Sequence, residues 1–305
     1  MRAGVRTAVW FVAITTGAYL LGSLIAGWTL AQMALHPGRK PLPPAAPAWL
    51  HSPVDDVGIS SVDGVPLHAW YIPAAHPNGA AVILLHGMAD TREGVAGYAV
   101  MFLRRGYSVL LPDSRAHGAS GGAIATYGVL ERDDVRRWAA WLHLRVPGCE
   151  YLFGESMGAA IAIQASAVTP GLCAVAAESS FATFREIAND RISQFTGLGL
   201  WFPRTLGAPA RDLAVLYGIF RFHVDLADAS PLRAIRESRV PTLLICGTAD
   251  NNIPMRHSVE LFHAGASHSA LWIVEGAEHT GAVSVDPGEF ERRVVGWFEQ
   301  HTLPN

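Results

Sequence analysis

Tyr151-Leu152-Phe153-Gly154-Glu155-Ser156-Met157-Gly158-Ala159-Ala160-Ile161-Ala162-Ile163 carries a G-x-S-x-G pentapeptide between a strand-like run and a helix-like run. A strand that turns sharply into a helix lifts the central side chain into a strained, exposed position, and the flanking glycines avoid a β-carbon clash across the turn. The Ser156 hydroxyl would then stand at the positive end of the following helix, where developing negative charge is stabilised. Taken alone, the pentapeptide also fits a small-residue turn at a helix start.

A serine hydroxyl needs a base within hydrogen-bond reach, and the base needs an orienting acid. At a turn of this kind the chain order is Ser, then Asp or Glu, then His. Thr242-Leu243-Leu244-Ile245-Cys246 reads as a buried strand, and Gly247-Thr248-Ala249-Asp250 follows it. Leu271-Trp272-Ile273-Val274 reads as the next strand, followed by Glu275-Gly276-Ala277-Glu278-His279. Asp250 and His279 are therefore the expected acid and base. Glu178, Glu278, Asp225 and Asp228 rank behind Asp250 as acids. The chain has 13 histidines, but His86 and His117 precede Ser156 and fit the order badly; the His86 ring is expected to pin its loop. Two backbone N–H groups should hold a tetrahedral oxyanion. Met157 follows the nucleophile, and Met88 follows Gly87 after the strand Ala81–Leu85, so both are the expected donors.

With these residues placed, the chain resembles the α/β-hydrolase superfamily in its serine-hydrolase branch, over roughly residues 55–301. The resemblance rests on His86-Gly87-Met88, Asp113-Ser114-Arg115-Ala116-His117-Gly118-Ala119-Ser120-Gly121, Gly154-Glu155-Ser156-Met157-Gly158, Gly247-Thr248-Ala249-Asp250 and Glu278-His279. It implies that Asp113 and Arg115 are structural. Among branches it is closest to small serine aminopeptidase-like and acyl-ester hydrolases. Serine at 156 disfavours members with an aspartate nucleophile.

The rest of the chain sets the organisation. Strands alternate with helices from Val57, beginning with a hairpin around Asp63-Gly64. The expected class is α/β: a mostly parallel central sheet with helices on both faces. Between Ser180 and Pro231 the alternation breaks, and this stretch is too long for a bare connection. Trp201, Phe202, Leu206, Leu213, Leu216, Tyr217, Phe220 and Phe222 make it apolar, so a short helical lid insertion over residues 180–231 and an apolar acyl substrate are expected. Arg204 and Arg211 read as surface rather than as an anion site.

From Thr7 to Leu35 no residue is charged, and a helix of that length exceeds the roughly 30 Å hydrocarbon core of a bilayer. An N-terminal transmembrane anchor (residues 1–36) ranks first, a cleaved signal peptide second (Ala46-Pro47-Ala48 is near), and a buried helix third. Arg2 and Arg6 favour an inside N-terminus, hence an extracytoplasmic catalytic domain, by a small margin against Arg39 and Lys40. Ser23 and Gly27, like Gly22 and Ala26, have the spacing that permits helix pairing. Six prolines between His36 and Pro53 read as a semi-rigid spacer, residues 37–53. The catalytic domain would span 54–305.

Net charge is −3 without blocks of like charge, which speaks against a nucleic-acid partner. The three cysteines, Cys149, Cys173 and Cys246, read as small buried hydrophobes, with no metal-ligand spacing and an odd count that suggests no disulfide framework. The expected activity is hydrolysis of a carboxylic ester, thioester or amide through an acyl-enzyme, with no metal or organic cofactor required. The alternatives are acyl transfer by the same three residues, and a lapsed hydrolase serving as a membrane-tethered binding module.

Overall fold

A computed structural model of the chain describes residues 2–43 and 45–302. Met1 of the expected anchor, Pro44 of the expected spacer and residues 303–305 of the expected catalytic domain lie outside the described residues. The elements run α1 (Arg2–Leu35), β1 (Asp55–Ser60), β2 (Pro66–Ile72), β3 (Ala81–Leu85), α2 (Ala96–Arg104), β4 (Ser108–Pro112), α3 (Glu131–His143), β5 (Glu150–Glu155), α4 (Met157–Ser166) and β6 (Leu172–Glu178). They continue with α5 (Phe184–Thr196), α6 (Trp201–Arg204), α7 (Ala208–Phe222), α8 (Pro231–Glu237), β7 (Thr242–Gly247), α9 (Arg256–Ala264), β8 (Ser269–Val274), α10 (Ala282–Val285) and α11 (Pro287–Gln300).

Among the described residues, eight strands form one sheet in the order β1-β2-β4-β3-β5-β6-β7-β8. β1 and β2 are the expected antiparallel hairpin, β2 pairs antiparallel with β4, and every other pairing is parallel. The central strands are apolar throughout because both faces are covered. Val82 and Leu84, Tyr151 and Phe153, Leu243 and Ile245 point to one face, where Phe102 of α2 and Phe290, Val294 and Phe298 of α11 meet them. Their neighbours Ile83, Leu85, Leu152 and Leu244 point to the other, against Trp138 of α3, Ile161 of α4 and Leu261 of α9. This alternation is the two-residue period of a strand. The parallel pairing puts the carboxyl ends of β3, β5, β6, β7 and β8 at one edge of the sheet, where ligands bind in open α/β sheets.

The chain divides into two compact units: residues up to Leu35 together with Ala188–Leu226, and His36–Ile187 together with the chain from Ala227. The second unit contains the whole sheet. In the first, α1 is a 34-residue helix long and apolar enough to cross a membrane, with a mean hydropathy of 1.8 in its most apolar window. Helices α6 and α7 and most of α5 share that unit with it.

The cysteine expectation is corrected. Cys149 and Cys173 form a disulfide with their Cα atoms 5.6 Å apart, and Cys246 is free and buried. The bridge ties the start of β5 to the start of β6. These strands are adjacent and parallel, so residues 24 apart in sequence end up side by side. An odd count does not preclude one pair.

Candidate active site

Ser156 is the single residue between β5 and α4, with φ 54° and ψ −118°. Only a left-handed backbone turns the strand into the helix within one residue, and a side chain there is strained. The glycines are required by contact. A Cβ on Gly154 would lie 2.3 Å from Gly158 O, and one on Gly158 would lie 2.1 Å from Leu85 O. Ser156 N–H donates to Glu178 O at 2.9 Å, which fastens the turn to the end of β6.

The three residues named by order and position come together across three loops. His279 Nε2 lies 2.9 Å from Ser156 Oγ, and His279 Nδ1 lies 2.9 Å from Asp250 Oδ2. The other Asp250 oxygen accepts from the N–H groups of Asn252 and Ile253, both at 2.8 Å. Burial pushes the Asp250 carboxyl up, but the His279 hydrogen bond, the Ile253 N–H and the imidazole charge outweigh it and hold the pKa below the ordinary aspartate value. An ionised Asp250 accepts a hydrogen bond from His279 Nδ1–H, which leaves Nε2 unprotonated and able to take a proton from the serine. Of the rival acids, Glu278 is exposed and Asp228 pairs with Arg233 at 3.2 Å.

Of the two expected oxyanion donors, Met157 directly follows the serine and Met88 adjoins a glycine packed against it. Met157 begins α4, where the first N–H groups of a helix lack intrahelical acceptors. Met88 follows Gly87, whose Cβ position lies 3.4 Å from Ser156 Cβ. The loop carrying Met88 is held by two neutral imidazoles. His86 Nε2 accepts from Ser114 N–H at 3.0 Å while Nδ1 contacts Gly87 O at 2.7 Å. His117 Nε2 accepts from Ala89 N–H at 3.1 Å while Nδ1 contacts Arg115 O at 2.9 Å. Burial lowers the pKa of both, His117 to about 4. Ala89, Ser179 and Thr280, like Ser156, have positive φ, so strained backbone gathers next to Met88, Glu178 and His279.

Asp113 and Arg115 tie loops together. Asp113 accepts from Arg92 N–H and Ala119 N–H, both at 2.8 Å. Arg115 bridges Asp134 and Asp63 through paired hydrogen bonds.

The sequence profile of the alpha/beta hydrolase family matches residues 82–293. The chain belongs to the alpha/beta hydrolase family. This alpha/beta hydrolase is 28% identical to the uncharacterized protein YqkD of Bacillus subtilis over 245 residues, covering 79% of this chain and 78% of that one. It is 24% identical over 252 residues to the alpha/beta hydrolase domain-containing protein WAV2 of Arabidopsis thaliana, covering 79% and 76%. Among solved structures it is similar to the Pyrococcus furiosus esterase Pf2001, with a TM-score of 0.70 and 26% identity over 87% of this chain and 99% of that one.

Two features of the hydrolase site were not anticipated. Glu155 and Glu178, behind the serine and the aspartate, are both raised to about 7 by burial, with their neighbours' charges adding to it. Tyr98 OH donates to Glu155 Oε2 at 3.2 Å, and Glu178 Oε1 accepts Ala282 N–H at 2.9 Å, which holds the loop bearing His279. The second feature is the proline-rich stretch. Arg39 donates to the carbonyls of His117, Gly118 and Ser120 at 3.3, 2.7 and 2.6 Å, and Lys40 pairs with Asp90 at 2.8 Å. Both contacts land on the loops that position Met88 and His117. Among the described residues, no group of three or more His, Cys, Asp or Glu side chains is placed to hold a metal ion.

Proposed function

We propose that this chain is a membrane-anchored serine hydrolase that cleaves carboxylic esters through an acyl-enzyme. The observation that carries the reading is the unbroken line Asp250–His279–Ser156, with 2.9 Å at each link. Ser156 Oγ attacks the ester carbonyl as its proton passes to His279 Nε2. The Met88 and Met157 N–H groups hold the resulting oxyanion; removing one such donor from a hydrolase site costs about 3–4 kcal/mol of transition-state stabilisation. Collapse of the intermediate breaks the bond to the alkoxy group, which leaves as an alcohol with the proton from His279. Water then attacks the acyl-enzyme, again losing its proton to His279, and the carboxylic acid departs with Ser156 restored.

The likeness to the Pyrococcus furiosus esterase supports an ester over an amide. The partner is a small, apolar acyl compound; with so little net charge, nucleic acid is no part of the function. Helix α1 anchors the protein in the membrane. The Cys149–Cys173 bridge favours an oxidising compartment and so an extracytoplasmic catalytic unit, with residues 37–53 joining anchor to catalytic domain.

Hydrolysis of 4-nitrophenyl esters of graded acyl length tests the activity. The wild type should turn over at least one of them, and Ser156→Ala should lose roughly 10⁴-fold or more. Equal rates in the two proteins would end the ester reading. Carbonate washing of membranes tests the anchor, and full-length protein recovered in the soluble fraction would remove it.

A further inference from the structure

Helix α1 and the inserted helices share one apolar surface. A Cβ on Gly27 would lie 2.7 Å from Leu213 Cβ and 2.8 Å from Ala210 O, so the backbones of α1 and α7 approach closely there. Tyr19 OH donates to Leu206 O at 2.7 Å, and Gln32 Nε2 donates to Tyr217 OH at 3.0 Å. The two helices therefore run parallel, with the start of α7 level with Tyr19, near the middle of α1. Around that junction Phe195, Leu198, Trp201 and Leu206 are exposed by 67, 47, 57 and 55%. Arg204 is the only charged residue between positions 195 and 210.

The length of α1 converts this pairing into a membrane depth. Crossing about 30 Å of hydrocarbon takes about 20 helical residues. Counted from Gly4, the first residue of the apolar span, the far boundary falls near Ser23 and Leu24. Tyr19 lies about 7 Å short of it at about 1.5 Å per residue, and Leu206 is bonded to Tyr19. Holding Leu206 in water would leave α1 only residues 4–18, about 22 Å, too short to cross.

We infer that the tip of the insertion, residues 195–207, is seated in the acyl-chain layer of the bilayer beside α1. The inference rests on the reading of α1 as a membrane anchor. Non-helical backbone survives at that depth only if its polar groups are satisfied within the protein, and three carbonyls of this tip are so satisfied. Leu206 O accepts from Tyr19, Trp201 O accepts from Thr205 Oγ1 at 2.7 Å, and Phe202 O accepts from the N–H groups of Thr205 and Gly207 at 3.1 and 2.8 Å. The partner is therefore phospholipid, and the contact is made by side chains that would otherwise hold apolar surface against water.

The test uses full-length protein in phosphatidylcholine vesicles, with a polarity-sensitive fluorophore on one introduced cysteine at a time: Leu198→Cys and Leu206→Cys at the tip, Ile14→Cys in α1, and Leu144→Cys on the other unit. The unsubstituted chain, whose free Cys246 is buried, gives the labelling blank. Labels at 14, 198 and 206 should lose most of their emission to nitroxide-bearing acyl chains and ignore aqueous iodide, while the label at 144 does the reverse. Lipid quenching at 14 with iodide quenching at both 198 and 206 overturns the inference and leaves the anchor standing. Iodide quenching at 14, 198 and 206 overturns the anchor and the inference together. Two tip positions keep the result readable if one substitution disturbs folding.

Discussion

Asp250→Asn is the sharpest single-residue change at the site. The asparagine keeps its size but presents a donor or an uncharged acceptor to His279 Nδ1, which favours the wrong tautomer and removes the charge that supports the imidazolium. On the proposed mechanism the expected loss is about 10⁴-fold in kcat, read as initial rates of ester hydrolysis with KM little altered. The meeting of Ser156, Asp250 and His279 was legible because each stands directly after a strand, in the order expected of a serine-hydrolase site. Glu155 and Glu178 were not. Their raised pKa comes first from burial, and burial depends on what the fold packs against them. Glu178 follows a strand as a rival acid would, but its side chain accepts Ala282 N–H and holds the loop of His279.

Two elements carry predictions of their own. The α1–α7 pair depends on Gly27, so Gly27→Leu should weaken it by about 1–3 kcal/mol, whereas Gly22→Leu, with nothing within 4 Å of its Cβ position, should not. Protease cleavage between α5 and α6 in detergent-solubilised protein would report the difference as faster nicking of the Gly27 variant only. The stretch from Arg39 to Lys40 braces the loops of Met88 and His117. Arg39→Ala should lower kcat by up to about tenfold through a less well placed oxyanion donor, with KM nearly unchanged; an unaltered kcat would show the contact to be idle. The strongly patterned strands were visible in the sequence, whereas α5 and α7, of 13 and 15 residues, were expected only as a short helical insertion. Helices α8 and α9, of 7 and 9 residues, were too short to show a clear period. The small residues of α1 suggested a pairing face, but no local pattern could point to α7, some 180 residues away.

For the molecule as a whole, pH and redox state enter through buried groups. The Glu178 carboxyl rises from an ordinary 4.5 to about 7, so between those values the folded state holds a proton that the unfolded chain has released. Stability is then lost as pH rises through this window. Glu178→Gln cannot ionise, and relative to wild type it should gain up to about 3 kcal/mol between pH 5 and pH 8, measured by urea unfolding; parallel curves would contradict the raised pKa. The Cys149–Cys173 bridge closes a loop of 24 residues and contributes about 3.5 kcal/mol by chain entropy, so Cys149→Ala/Cys173→Ala should unfold at correspondingly lower urea. Three cysteines in a sequence do not say which two will meet; adjacency of β5 and β6 does. All of this frames one reaction, and intact-mass analysis of the full chain after brief exposure to a fluorophosphonate probes it. The account predicts one phosphonyl adduct, mapped to Ser156, formed at least 100-fold more slowly in His279→Ala, on the order of the contribution of a general base. An adduct on another residue, or a His279→Ala protein labelled as fast as wild type, would contradict it.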